Sequence, residues 1–150
     1  MAIDVSVHSE APTYSQKITA GTHVFHSDEP EDSGGKDAGP NPEKLLLAAL
    51  GACANITAQM YAQRKAWPLH DVYATLSYVR VPAESNAESG LVDCIEMEIS
   101  FDGDLSGEQR QRLLEIANRC PVHRMLISQV QIRSKLVDPS PRGPSGLNSA

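Results

Sequence analysis

Three cysteines are the residues of this chain best equipped for chemistry, and each stands in a different setting. Cys53 lies on the apolar stripe Leu46, Ala49, Leu50, Cys53, Ile56, Met60, whose spacing is that of one helix face. Its small neighbours Gly51, Ala52 and Ala54 leave room around the sulfur. Cys120 stands directly before Pro121, at a junction where a following helix would aim free N–H groups at the thiol. Such a position stabilises a thiolate or accepts sulfur chemistry readily. Cys94 shares a strand face with Glu96 and Glu98, whose charge opposes ionisation. A cysteine on an apolar helix is, taken alone, more often an inert core residue than a nucleophile. His8, His23, His26, His70 and His123 are surface or loop residues by default. Cys120-Pro121-Val122-His123 supplies half of a metal-site pattern, but no second Cys/His pair with ligand spacing follows it. P-loop, G-x-S-x-G and dinucleotide fingerprints are all missing.

The elements that must position these thiols can be read from periodicity. Ile3, Val5 and Val7 alternate with polar residues, and Tyr14–Ile18 and His23–Phe25 follow as further short strands. Residues 28–40 are too rich in glycine, proline and charge for a regular element, and a loop of that length suits a lid or a subunit-crossing arm. Asn41-Pro42-Glu43 is a helix start: Asn caps, Pro fits the first helical position, and Glu complements the positive helix end. The helix is predicted to run to about Lys65, stopped by Pro68, and it is apolar almost all round between Leu45 and Ala62. That places it in the middle of the protein. Val72, Ala74, Leu76 and Tyr78 share one strand face, as do Ile95, Met97, Ile99 and Phe101, joined by a polar hairpin connection over 82–90. Ser106-Gly107-Glu108-Gln109 has the form of a capping box opening a second helix, which Pro121 ends. A short helix over Val122–Ile127 and a half-buried strand through Val130, Ile132 and Leu136 complete the pattern. The class is α+β, with mainly antiparallel sheet around a long central helix. Residues 1–138 read as one domain, and 139–150 as a tail without core-forming residues, expected to be disordered.

Composition narrows the function further. The 150 residues carry 13 Lys+Arg against 19 Asp+Glu, a net charge of −6, which opposes a phosphate-backbone partner. No run of twenty apolar residues is present, and MAIDVSVHSE has neither the basic start nor the apolar stretch of a secretory signal. The expectation is a cytosolic protein that meets neither nucleic acid nor membrane. In that compartment three cysteines are reactive, metal-bound or buried thiols rather than a disulfide framework.

Gly39-Pro40-Asn41-Pro42-Glu43-Lys44-Leu45-Leu46, then Ala49-Leu50-Gly51-Ala52-Cys53, then Cys120-Pro121-Val122-His123, resembles the OsmC/Ohr family, the osmotically induced and organic hydroperoxide resistance proteins. The likeness runs from about Ile3 to Val137: a Pro-Glu helix start, a cysteine ten residues later, and a distant Cys-Pro pair ending the second long helix. It implies an intertwined homodimer with two equivalent interface sites, and thiol-dependent reduction of organic hydroperoxides without metal, flavin or other resident cofactor. By position, the resemblance makes Cys53 the peroxide-attacking cysteine, Cys120 the resolving cysteine and Glu43 the acidic site residue. It also implies an external dithiol reductant, such as a lipoyl group. Glu43 and Cys53 are ten residues apart on one helix, about 15 Å along its axis, so a shared site needs Glu43 from a second subunit or an intermediary.

One departure stands out. Attack on an O–O bond needs a thiolate, and a thiolate in an apolar setting needs a nearby cation. Peroxidase members of the family carry an arginine early in the chain for this task, whereas the first arginine here is Arg64. Lys17, Lys36, His23 and His26 are the early cations, and His23, in Gly21-Thr22-His23-Val24-Phe25, falls nearest the expected place. An imidazole does not reproduce a bidentate guanidinium. Two other readings follow: a non-catalytic module holding a small apolar ligand beside Cys53, and a redox sensor whose disulfide alters a partner surface.

Overall fold

The computed structural model describes residues 3–84 and 90–139. Three short strands, β1 (Ser6–Ser9), β2 (Gln16–Ala20) and β3 (His23–Ser27), form an antiparallel sheet in that order. The long helix α1 (Pro42–Arg64) follows, then a two-stranded antiparallel sheet of β4 (Leu69–Pro82) and β5 (Leu91–Gly103), and the helices α2 (Gly107–Ala117) and α3 (Pro121–Ile127). This is the expected α+β arrangement, with antiparallel sheets and one long helix.

The helix starts follow their local chemistry. The Asn41 side chain accepts from the Lys44 amide, with Pro42 at the first helical position. Ser106 and Gln109 form both halves of a capping box. The end of α1 is set before Pro68 is reached. Trp67 N–H donates to Ala62 O and Ala66 N–H to Gln63 O, with Ala66 in the left-handed region at φ 52°. This is a Schellman closure, in which alanine takes the place usually held by glycine.

The core lies where α1 meets β4, β5 and α2. Leu50, Ala54, Ala58 and Ala62 recur every four residues along α1 and are buried with Val72, Phe101, Leu105, Leu113, Ala117 and Cys120. Small side chains on that stripe let the neighbouring elements close in. At Gly51 a Cβ atom would stand 2.7 Å from Leu76 Cδ1, so β4 passes tightly against the helix there. The Arg110 guanidinium ties the turn between β5 and α2, donating to the carbonyls of Phe101, Gly103 and Leu105.

Two expectations are corrected. The segment through Val130, Ile132 and Leu136 is not a strand: it is irregular and exposed, and it pairs with none of the sheet edges of its own chain. α1 is not enclosed. Only one face is buried, and Leu46, Ile56 and Met60 on the stripe that carries Cys53 are about half exposed. By length and composition α1 could cross a membrane, a test that the core helix of a globular fold also passes. Residues 28–40, read as a lid or an arm, form a loop tied together by its own hydrogen bonds. The buried Asp28 carboxylate accepts from the amides of Glu29 (2.8 Å), Lys36 (3.0 Å) and Ala38 (3.2 Å), and Ser27 Oγ donates to Pro40 O. A short 3-10 turn, Glu31–Ser33, lies inside the loop. The connection over residues 85–89 and the tail from residue 140 lie outside the described residues.

Burial works against the Asp28 charge, but the three amide bonds outweigh it and hold the carboxyl below its ordinary value near 3.8. A lowered folded value means that this stabilisation is full above the unfolded value and fades as pH falls through the folded one. Between about pH 5 and pH 3, urea midpoints of the wild type should therefore fall more steeply than those of Asp28→Asn. Amide exchange at Lys36 and Ala38 should be faster in the variant at every pH. Parallel pH profiles for the two proteins would contradict this assignment.

Candidate functional site

Cys53 and Cys120, far apart in sequence, are neighbours in the fold. Cys53 sits in the middle of α1, partly buried, packed against the cluster that contains the fully buried Cys120. Cys120 is the residue that caps α3, and its Sγ accepts from the His123 amide at 3.3 Å. The two thiols lie close enough for Cys53 to act on the Cys120 thiol, and both cysteines are free. Burial pushes the Cys120 thiol up from its ordinary range. The amides of His123 and Val122 pull it down, and the neighbouring Cys53 raises it again. The net direction is upward. This corrects the expectation that the start of α3 would stabilise a thiolate at Cys120: loss of solvent outweighs two backbone donors. Chemically, Cys120 is a buried thiol that favours its protonated form, beside a second sulfur.

The other predicted residues lie elsewhere within one subunit. Glu43, the second residue of α1, is exposed near the N-terminal end of the helix. It stands near Tyr78 of β4, whose phenol is raised chiefly by its 2.6 Å hydrogen bond to Asp93, with Glu43 a minor contributor. His23 is exposed on β3, in a sheet that shares no substantial contact with α1, α2 or α3 among the described residues. Neither Glu43 nor His23 is thus brought to the cysteine pair by its own chain. Cys94 is half-buried on β5, opposite Val79. Two clefts beside the helices are lined by Gln59, Gln63, Trp67 and His70 in one case, and by Phe101, Arg110 and Leu114 in the other. Neither is lined by Cys53.

An aromatic and cationic cluster at the end of α1 was not legible in the sequence. Tyr61 and Trp67 meet edge to face at 5.5 Å, and Arg112 Nε of α2 donates to the Tyr61 hydroxyl at 3.3 Å. That hydrogen bond is the main reason the Tyr61 phenol lies below its usual range. Tyr61 and Arg112 are 51 residues apart, and no local spacing signals their contact.

A family model described as OsmC-like protein matches residues 34–135. The chain belongs to the OsmC-like family. Solved structures share its fold. An OsmC-like protein from Mycoplasma pneumoniae is 20% identical with a TM-score of 0.67, the match covering 84% of this chain and 87% of that one. An organic hydroperoxide resistance protein OsmC from Legionella pneumophila is 20% identical (TM-score 0.61; 85% and 90% covered). An organic hydroperoxide resistance protein from Elizabethkingia anophelis is 19% identical (TM-score 0.62; 86% and 90% covered). At such identities the likeness speaks to the fold. No curated protein matches the chain.

The burial of Cys120 predicts an order of reactivity. In the reduced protein at pH 8, iodoacetamide should modify Cys120 at least about tenfold more slowly than Cys53, followed by peptide mass spectrometry. Modification of Cys120 ahead of Cys53 would show that the buried thiol is not held protonated.

Proposed function

We propose that this protein is a two-cysteine peroxidase that reduces organic hydroperoxides in defence against oxidative stress. The observation that supports it is the contact between Cys53 and Cys120, which joins a partly accessible sulfur to a buried, protonated one. The Cys53 thiolate attacks the outer oxygen of ROOH, the O–O bond breaks, and ROH leaves with one proton taken up. Cys53 becomes a sulfenic acid. Cys120 then attacks the Cys53 sulfur: an S–S bond forms, and the sulfenic oxygen departs as water with the Cys120 proton. A dithiol of lipoyl type returns two electrons and two protons, restoring both thiols. Leu46, Ile56 and Met60, exposed on the Cys53 face, suit the hydrocarbon part of such a substrate.

The reading includes a homodimer. The half-exposed stripe of α1 and the unpaired apolar segment Val130, Ile132, Leu136 and Val137 are surfaces that a second copy would cover. Glu43, as the acidic site residue, and His23, as the cation in place of arginine, then serve the site across the interface. The ligand-binding alternative gains nothing from the clefts, which lie away from Cys53.

Reduced protein treated with one equivalent of cumene hydroperoxide should form a Cys53–Cys120 disulfide, mapped by mass spectrometry. Cys53→Ser should abolish turnover. Cys120→Ser should consume one equivalent and leave a sulfenic acid that dimedone traps. Unreacted thiols in the wild type, or full turnover by Cys53→Ser, would overturn the proposal.

A further inference from the structure

The three cations around Tyr61 are given no step in the proposed peroxide chemistry. Arg112, Lys65 and Arg64 lie 5.6, 5.7 and 5.9 Å from the centre of its ring. Glu115 pairs with Arg112 at 2.9 Å, while Arg64 and Lys65 take part in no ion pair among the described residues. Cations at the end of a helix complement its dipole, which accounts for Arg64 and Lys65 there but not for Arg112, contributed by α2. Both Arg64 and Lys65 are exposed. In a chain of net charge −6, this is a local field of opposite sign to the whole.

Its place relative to the thiols is fixed by the helices. Cys53 meets Cys120 and Tyr61 meets Arg112, pairs separated by eight residues on each side, so α1 and α2 run antiparallel. The cationic cluster is then about 12 Å along the helix axis from the sulfur pair. A flexible dithiol arm can span that distance; a rigid contact there leaves the thiols open. The cleft lined by Gln59, Gln63, Trp67 and His70 adjoins the cluster through Trp67.

We propose that Arg64, Lys65 and Arg112, gathered round Tyr61, form the docking face for an acidic protein that carries the reducing dithiol. This rests on the peroxidase reading, and names the partner of its last step. The carrier's dithiol is oxidised to its disulfide as two electrons and two protons pass to the Cys53–Cys120 bond. Docking raises the local dithiol concentration where an acidic carrier would otherwise be repelled.

Trp67 is the sole tryptophan, so its fluorescence reports on the cluster without any redox step. The probe is an acidic dihydrolipoylated carrier domain that lacks tryptophan, titrated into the full-length protein at low and high salt. Wild-type binding should weaken as salt screens the charges. Arg64→Glu/Lys65→Glu should weaken low-salt binding, and slow disulfide reduction by the carrier, at least about tenfold. Reduction by free dihydrolipoamide should stay within about twofold of wild type, and circular dichroism should confirm the fold. Equal binding by wild type and variant overturns the docking face. So does inorganic phosphate occupying the cluster without displacing the carrier, which would make it a simple anion site. If peroxide forms no disulfide, the peroxidase reading fails separately, and the fluorescence titration still decides the docking.

Discussion

The close approach of α1 to its neighbours along Leu50, Ala54, Ala58 and Ala62 is the constraint on which the rest of the molecule depends. Three alanines on a four-residue repeat present almost no side-chain bulk, so β4 and α2 can settle against the helix backbone. Gly51 does the same one residue away, under Leu76. That closeness sets the antiparallel register of α1 on α2. The register in turn brings Cys53 to Cys120 at one level and Tyr61 to Arg112 at another. A larger residue on the stripe would act on both contacts at once, since they share one pair of helices and a tightly packed interior transmits displacement.

The same packing gives the two sulfurs different surroundings. Cys120 has a helix start in front of it and two amides aimed at it, the arrangement that ordinarily favours a thiolate. Complete burial reverses the balance, and the proton stays. A resolving thiol has no need to be ionised in the resting protein, because early ionisation would expose it to oxidation as well. In the proposed cycle the proton it retains leaves with the sulfenic oxygen. Cys53 is the less covered sulfur of the pair.

What the sequence discloses is what local chemistry decides. Asn41, Pro42, Ser106 and Gln109 mark helix starts because their caps act within one turn, and both starts appear in place. The alternating faces of the two long strands are equally local. The fate of Cys120 is different: the amides in front of it follow from Pro121, while its burial depends on Leu113 and Ala117 of the preceding helix packing against α1. The loop over residues 28–40 is plainly irregular in sequence, yet its path is tied by one carboxylate reaching amides eight and ten residues ahead. Pairing of Cys53 with Cys120 was available only through family likeness, since nothing in the spacing of the two residues requires contact.

The alternation at Val130, Ile132 and Leu136 carries the remaining lesson. Alternation reports that a segment wants one dry face and a neighbouring edge; it does not report whose edge. Within one chain the segment is left exposed, and so is the α1 stripe bearing Cys53. Under the proposed pairing of two copies, both features have one cause. On that reading, the apolar α1 stripe that a second subunit would cover is also the surface that would receive a hydroperoxide's hydrocarbon part. Water exclusion around the reactive sulfur and association of subunits then become a single property, because the same Leu46, Ile56 and Met60 side chains serve both. His23 and Glu43 are each stranded from the thiols of their own chain, and only under the proposed pairing would a second copy bring them to the site.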